Sequence, residues 1–328
     1  MNRFRVRLIP PVALLLLASF GLVACGADDD GGGNAAGLEK PKIIVAQLAI
    51  LTSAPYFIAI KEKLFEAEGL TVETKMVPSS PQAYPELKNG GIDLVAANDS
   101  SMLLGHDKGD LPINLIAEGT TLTPHFMAVL VMPGSPIHSI KDLAGHTVSV
   151  HVLNNIQAIT LNAVAEANGV DPAQIKYRQV PFPQMGATMQ KGGIDAIHVN
   201  EPFLTDAKVK LGATEAVDGG QAPVTGLPMD GYFALDGWAR KYPKTAAAFE
   251  RAMRKARAIA AGDRSRVEQI LPTYIRNVDP AVAKQFGMPG FPEANSPERI
   301  QKLIDLMKDQ GQLTNRIDAK TIVFQPPA

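Results

Sequence analysis

A 19-residue segment that occurs twice, 102 residues apart, most constrains what this chain can fold into. The copies are Pro81–Asp99 and Pro183–Glu201, and seven of their nineteen positions are identical: Pro-Gln at the start, a central Gly-Gly-Ile-Asp and one late Asn. Each copy predicts a helix that ends at the glycines and a strand that runs to an Asn-acid pair. Two similar α/β halves are expected, with Asn98-Asp99 and Asn200-Glu201 facing one cleft.

The length of 328 residues allows two domains rather than one small core. Runs of β-branched residues alternate with helical patterns, which predicts mostly parallel sheets. The C-terminal part is largely helical and is expected to pack onto an existing sheet, and the basic run Tyr242–Arg257 is interpreted as a solvent-exposed helix face. The predicted fold is α/β and two-lobed, with a helical C-terminal tail. The lobes are 41–129 plus 227–328 and 130–226, with crossings near Ala128–Val131 and Val224–Gly231.

The N-terminus is typical of an export signal. Arg3, Arg5 and Arg7 precede an apolar stretch that ends in Leu22-Val23-Ala24-Cys25, and Cys25 is the only cysteine. The tetrapeptide resembles the lipobox of bacterial lipoproteins, which implies a signal peptide over 1–24 and lipid on Cys25. The Gly- and Asp-rich segment within 25–40 is interpreted as a flexible tether. A simple signal peptide with an incidental cysteine is the alternative.

Four stretches resemble the type II periplasmic binding proteins of ABC importers. They are Tyr56–Leu70, the strands that end at Asn98-Asp99 and at Asn200-Glu201-Pro202, and Ile140–Gly145 with the strand after it. The subgroup is that of the nitrate, sulfonate and taurine binding proteins and their thiamine-precursor-binding relatives. The resemblance implies a clamshell fold and a monomeric, lipid-anchored extracytoplasmic receptor that delivers a small solute to a membrane permease. No phosphate-binding G-x-x-x-x-G-K-[ST] motif occurs, so the coupled ATPase would be another chain.

Candidate ligand-binding residues follow the predicted strands, because ligands of open parallel sheets lie beyond the carboxyl ends of the strands. Most of these side chains are short and polar, and several also suit the cap of a following helix, so each can cap without touching a ligand. The candidates are Ser53, Tyr56, Asn98, Asp99, Ser100, Ser101, Thr121, Asn154, Asn155, Gln157, Asn200 and Glu201.

The charge pattern leaves the solute open. The formal net charge is −1 without a basic stripe, which excludes a nucleic-acid partner. The segments that follow the strands contain Asp99 and Glu201 but neither Lys nor Arg. An anion would depend on helix N-termini and hydroxyl groups, whereas a neutral or weakly basic solute, such as an aminopyrimidine, would use Glu201 or Asp99 as acceptors.

The histidines and the single cysteine bear on metals and catalysis. The six histidines lack a metal-binding spacing, so no metal or cofactor is expected, although His125, His151 and His198 lie near strand ends and could contact a ligand. Enzymes of this fold that resemble thiamine-pyrimidine synthases carry a Cys-rich motif, and this chain has one cysteine. The predicted function is therefore non-enzymatic solute binding, with a ligand sensor uncoupled from transport as an alternative.

Overall fold

The structure is a computed structural model that describes residues 37–276 and 278–326. The predicted signal peptide, Cys25 and most of the predicted tether lie outside the described residues. No helix in the described part is long and apolar enough to cross a membrane.

Within the described residues, ten strands form two five-stranded sheets. They are β1 Lys42–Gln47, β2 Thr71–Met76, β3 Leu94–Asn98, β4 Ile113–Thr121, β5 Met127–Val131, β6 Thr147–Val150, β7 Lys176–Gln179, β8 Ala196–Asn200, β9 Thr214–Asp218 and β10 Pro228–Leu235. The first sheet has the order β2-β1-β3-β10-β4 and the second β7-β6-β8-β5-β9. In each sheet one strand, β10 or β5, runs antiparallel to its neighbours, so the prediction of mostly parallel sheets is confirmed.

The two copies of the repeat occupy equivalent places. Their strands, β3 and β8, are the central strands of the two sheets. Gly90 and Gly192 end the preceding helices with φ of 79° and 72°, a left-handed conformation that glycine adopts without strain. Asp93 accepts a hydrogen bond from the Ile44 N–H (2.9 Å), and Asp195 accepts one from the Thr147 N–H (2.7 Å). These aspartates tie the start of the central strand to its parallel neighbour, which is a structural role.

The helices cover both faces of the sheets. They are α1 Ala54–Lys61, α2 Leu64–Ala67, α3 Tyr84–Asn89, α4 Asp99–Asp107, α5 Ile156–Ala167, α6 Phe182–Gln190, α7 Phe203–Leu211, α8 Asp236–Lys241, α9 Pro243–Gly262, α10 Arg264–Ile270, α11 Pro280–Ala283, α12 Pro297–Asp309 and α13 Ala319–Ile322. The tail packs on the first sheet, as expected: α9 and α13 contact β4, and α12 contacts β10.

The first sheet buries both of its faces, because successive strand residues point to opposite sides. Tyr232 packs with Phe249 of α9 on one side, where Phe249 also stacks on Phe65 at a centroid distance of 5.3 Å. Its neighbour Phe233 belongs to the other core, which contains Leu303 of α12. The first sheet therefore lies between two layers of helices.

The chain crosses between the sheets twice, at 122–126 and at 219–227. The first crossing lies just before the predicted position near Ala128–Val131, because β5 already belongs to the second sheet. The crossings lie close together: the His125 N–H in the first donates to Oδ1 of Asp218, the last residue of β9 before the second (2.9 Å). A Cβ on Gly220 would lie 2.0 Å from the carbonyl oxygen of Thr123, so only glycine permits this approach.

The prediction that the basic run of α9 forms a solvent-exposed face is wrong at its last member. Arg254 and Lys255 are exposed, but the Arg257 side chain is fully buried. Its guanidinium donates to the carbonyl oxygens of Pro292 (2.8 Å) and Glu118 (2.5 Å). Arg257 therefore points inward and joins α9 to β4 and to the tail.

Candidate functional site

A cavity of about 390 Å³ lies where the carboxyl ends of both sheets meet. The segments that directly follow β1, β2, β3, β6, β7 and β8 contribute to its wall, together with part of β10. This agrees with the rule that ligands of α/β sheets lie beyond the carboxyl ends of the strands.

Half of the sequence-predicted site residues line this cavity. Those that do are Ser53, Asn98, Ser101, Asn155, Gln157 and Asn200. The other six, Tyr56, Asp99, Ser100, Thr121, Asn154 and Glu201, are absent from its lining.

Two of the residues outside the lining have clear structural roles. Tyr56 stacks on Tyr232 at 5.9 Å, and its hydroxyl lies 2.8 Å from that of Thr74. Glu201 accepts hydrogen bonds from the hydroxyl (2.7 Å) and N–H (3.1 Å) of Thr205, and from the N–H of Gly287 (3.0 Å) in the tail. Burial raises the pKa of the Glu201 carboxyl. Glu201 lies just before α7, accepts from an N–H in the first turn of that helix, and also joins the second lobe to the tail.

Polar side chains of the first lobe form a buried network on the cavity wall. Gln47 is fully buried and donates from Nε2 to the Tyr232 hydroxyl (3.0 Å). Its Oε1 accepts from the Ser53 hydroxyl (3.0 Å). The network fixes the Gln47 amide and the Tyr232 ring in one orientation.

The wall of the second lobe is organised around the start of α5. Asn155 caps the helix by accepting from the Gln157 N–H (3.1 Å). Gln157 Oε1 accepts from the His151 N–H (2.8 Å), and its Nε2 donates to the carbonyl oxygen of His198. This network positions the loop after β6 against β8. The amide oxygen of Asn200 is buried on the wall and accepts no hydrogen bond from any described residue.

Three rings of the second lobe form what we call the aromatic ladder: His151, Phe182 and Phe203. His151 and Phe182 stack at a centroid distance of 4.4 Å and an interplanar angle of 7°, and Phe182 and Phe203 follow at 5.1 Å and 12°. All three line the cavity. They offer a flat apolar surface for a ring-containing ligand.

Sequence reasoning missed the ladder as a unit, and it missed two wall segments. These are 77–81 and 181–183, which follow β2 and β7. The signal was present, since the same carboxyl-end rule applies to every parallel strand. Both segments contain two prolines, which are typical of a turn, although the first also holds the short polar residues Ser79 and Ser80.

The wall of the cavity carries little positive charge. Among residues 37–276 and 278–326, no lysine or arginine lines it. Burial raises the pKa of Asp230, which does line it, to about 6, and burial lowers the pKa of His151. The imidazole is therefore neutral near pH 7, while Asp230 is mostly ionised there.

A separate group of titratable side chains lies beside the crossings. His125, Glu215 and Asp218 offer ligand atoms within 4.8 Å of one another. His125 Nδ1 lies 2.9 Å from Glu215 Oε1, and the Lys208 ammonium donates to Glu215 Oε2 (2.7 Å). Hydrogen bonds and the Lys208 charge already engage these carboxylates. The sequence-based expectation of no metal remains a prediction.

Comparison with known proteins places this geometry in context. The model of the NMT1-like family matches residues 36–270. A putative aliphatic sulfonates-binding protein of Escherichia coli (strain K12) is 28% identical over 173 residues, covering 52% of this chain and 51% of that protein. The nitrate/nitrite binding protein NrtA of Synechococcus elongatus is 28% identical over 251 residues, covering 69% of this chain and 56% of that protein. The chain thus spans about half the length of the curated relatives it matches.

A solved structure shares the fold. The periplasmic aliphatic sulphonate binding protein SsuA from Escherichia coli superposes with a TM-score of 0.71 at 19% sequence identity, covering 87% of this chain and 97% of that one. The two-lobed α/β architecture expected from the sequence is confirmed by this match and by the two mixed sheets.

Proposed function

The chain belongs to the NMT1-like family, and on that premise we propose that it is the solute-binding component of an ABC importer. The observation that carries the proposal is the cavity of about 390 Å³ enclosed between the carboxyl ends of two sheets. That volume lies within the range of small-molecule sites, of roughly 300–1,000 Å³. Two-lobed proteins of this architecture are known to close around a ligand by a hinge motion. The protein acts as a binder, not an enzyme, and its partners are a membrane permease and a separate ATPase.

The solute is a small polar organic or anionic molecule. Sulfonate- and nitrate-like anions, which the names of the relatives indicate, and taurine are the first candidates. The absence of lysine and arginine from the described wall counts against a compact inorganic anion, because helix N-termini and hydroxyl groups would have to compensate its charge alone.

A pyrimidine-type thiamine precursor is the second candidate, and the aromatic ladder favours it, because stacked rings recognise flat heterocycles. A sensor that uses the same cleft without transport is distinguished by its partner. A transport protein, loaded with solute, stimulates ATP hydrolysis by a reconstituted permease and ATPase, whereas a sensor does not.

The proposal places the protein outside the cytoplasmic membrane as a monomer held by lipid on Cys25. Replacing Cys25 with serine is expected to prevent lipidation, so that the protein leaves the membrane fraction. Phase partitioning in detergent checks this. If the Cys25→Ser variant still partitions into the detergent phase, the protein is not anchored by lipid on Cys25.

A thermal-shift panel tests the binding role. It includes taurine, alkanesulfonates, nitrate, bicarbonate, aromatic carboxylates and thiamine precursors. A true ligand at about 100 times its dissociation constant is expected to raise the free energy of unfolding by about 2.7 kcal/mol. If no solute of the panel, and no small-molecule extract of a growth medium, shifts the transition, solute binding is not supported.

A further inference from the structure

Asp230 places a carboxyl group directly on the wall of the cavity. The residue lies on β10, and its Oδ1 accepts hydrogen bonds from the N–H and the hydroxyl of Thr120, both at 2.8 Å. A Cβ at Gly119 would lie 2.4 Å from this oxygen, so the carboxyl fits only because the neighbouring strand has glycine there. The local structure is built around this acid.

A second carboxyl lies behind the first. Asp99 begins α4, directly after Asn98, which pairs with Asp230 across the sheet. Asp99 is 1% exposed, and neither of its oxygens accepts a hydrogen bond from the described part of the chain. Burial, together with Asp230 and Glu118, raises its pKa well above the usual range. Burial without a hydrogen-bond partner favours the neutral form of the Asp99 carboxyl.

Two further titratable groups, the Glu118 carboxyl and the Tyr232 phenol, lie near the Asp230 and Asp99 carboxyls. Glu118 is ion-paired with Arg299 (2.7 Å) and also accepts from the Ser296 N–H. Tyr232 is buried and its pKa is raised further, so its phenol is neutral. Among the described residues that line the cavity Asp230 is the one acidic residue, and with a pKa of about 6 its carboxyl is mostly ionised at pH 7.

The opposite wall suits a positive charge on a flat group. The aromatic ladder gives flat ligands, ring cations among them, an aromatic surface to pack on. Its imidazole, His151, is neutral near pH 7 and does not repel them. The unpartnered amide oxygen of Asn200 adds a further acceptor for an N–H group.

We propose that the cavity selects an organic cation with one positive charge, in which a protonated amine or amidine on a flat ring is bound by Asp230 and the ring packs on the aromatic ladder. The inference rests on the proposed solute-binding function and names the class of its solute. Lysine and arginine, which would bind an anion and repel a cation, do not line the described wall.

Three ring compounds of matched shape test the inference by calorimetric titration: benzamidine, which is cationic, benzamide, which is neutral, and benzenesulfonate, which is anionic. Benzamidine is expected to bind at least about tenfold more tightly than benzamide, because a charge-assisted hydrogen bond is roughly twice as strong as a neutral one. Benzenesulfonate is expected not to bind. Tighter binding of benzenesulfonate, or no binding of benzamidine at 10 mM, overturns the inference.

The variant Asp230→Asn keeps the shape of the side chain and removes its charge. It is expected to weaken benzamidine binding at least about 30-fold at pH 7.5. The control Asp206→Asn changes an exposed carboxylate of α7 and should leave binding unchanged. If Asp230→Asn binds benzamidine as the unmodified protein does, Asp230 is not the recognition group.

The pH dependence supplies an independent readout. Because Asp230 must be ionised to bind a cation, benzamidine binding is expected to weaken about tenfold from pH 7 to pH 5, and the Asp230→Asn variant should lose this dependence. A flat profile in the unmodified protein overturns the inference. If an anion of the thermal-shift panel raises the unfolding temperature and benzamidine does not, the cation class is contradicted while the proposed solute binding stands. No shift with any compound contradicts both.

Discussion

Substituting Arg257 with methionine is expected to lower the free energy of unfolding by about 3–5 kcal/mol. The buried guanidinium donates to the carbonyl oxygens of Pro292 and Glu118, and it lies 3.6 Å from the Glu250 carboxylate. Methionine has similar length but no donors. Both carbonyl groups would therefore lose this donor inside the protein, and the nearly buried Glu250 would keep only the more distant Arg254 as a charged partner. Urea denaturation at pH 7.5 measures the loss.

The matched control is Arg254→Met, on the same helix. Arg254 is half exposed and lies 4.0 Å from the other oxygen of Glu250. An exposed pair of this kind contributes about 0–1 kcal/mol, so the control should unfold close to the unmodified protein. Equal losses in the two variants would show that the buried position of Arg257 contributes nothing special.

Acidification is expected to destabilise the protein through His198. This ring is fully buried in β8, neither nitrogen has a hydrogen-bond partner among the described residues, and burial lowers its pKa to about 3. Below its ordinary pKa of about 6.5 the unfolded chain binds a proton that the folded protein does not. Stability is therefore lost as pH falls, by about 1.4 kcal/mol per unit until about pH 3.

The variant His198→Leu isolates this effect from the other titrating groups. Asp230 acts in the opposite direction over part of the same range, since its raised pKa makes the folded state bind a proton near pH 6. The difference in unfolding free energy between variant and unmodified protein should therefore be followed from pH 7.5 to 4.5. It is expected to change by about 2.7 kcal/mol in favour of the variant. The exposed His138→Leu should show no such change, and a constant difference for His198→Leu would contradict a neutral buried ring.

The repeat made it possible to predict the two similar α/β halves from the sequence. Gly90 and Gly192 end helices because glycine adopts a positive φ without strain, which does not depend on the rest of the fold. The strands that follow them, β3 and β8, could therefore be located in the sequence. Local chemistry determines these features, which is why they were predictable.

The direction in which a side chain points was less predictable. Asp99 and Glu201 follow equivalent strands, yet neither lines the cavity: Asp99 is the buried first residue of α4, and Glu201 turns toward Thr205 in the first turn of α7. Arg257 belongs to a basic run whose other charges reach solvent, and only the carbonyl groups of Pro292 and Glu118, distant in sequence, explain its burial. Asp230 enters the site through an antiparallel strand, so the carboxyl-end rule does not select it.

Calorimetric titration of a cavity-filling variant tests the central claim, that one solute binds between the two sheets. Ser101 lines the cavity from the first turn of α4, and tryptophan at this position would occupy the space of the ligand. The control Ala187→Trp adds the same ring to an exposed position of α6 outside the lining. With the solute that the thermal-shift panel identifies, we expect one site per chain in the unmodified protein and the control, and no binding in Ser101→Trp. Unchanged affinity in a folded Ser101→Trp variant would place the binding site elsewhere.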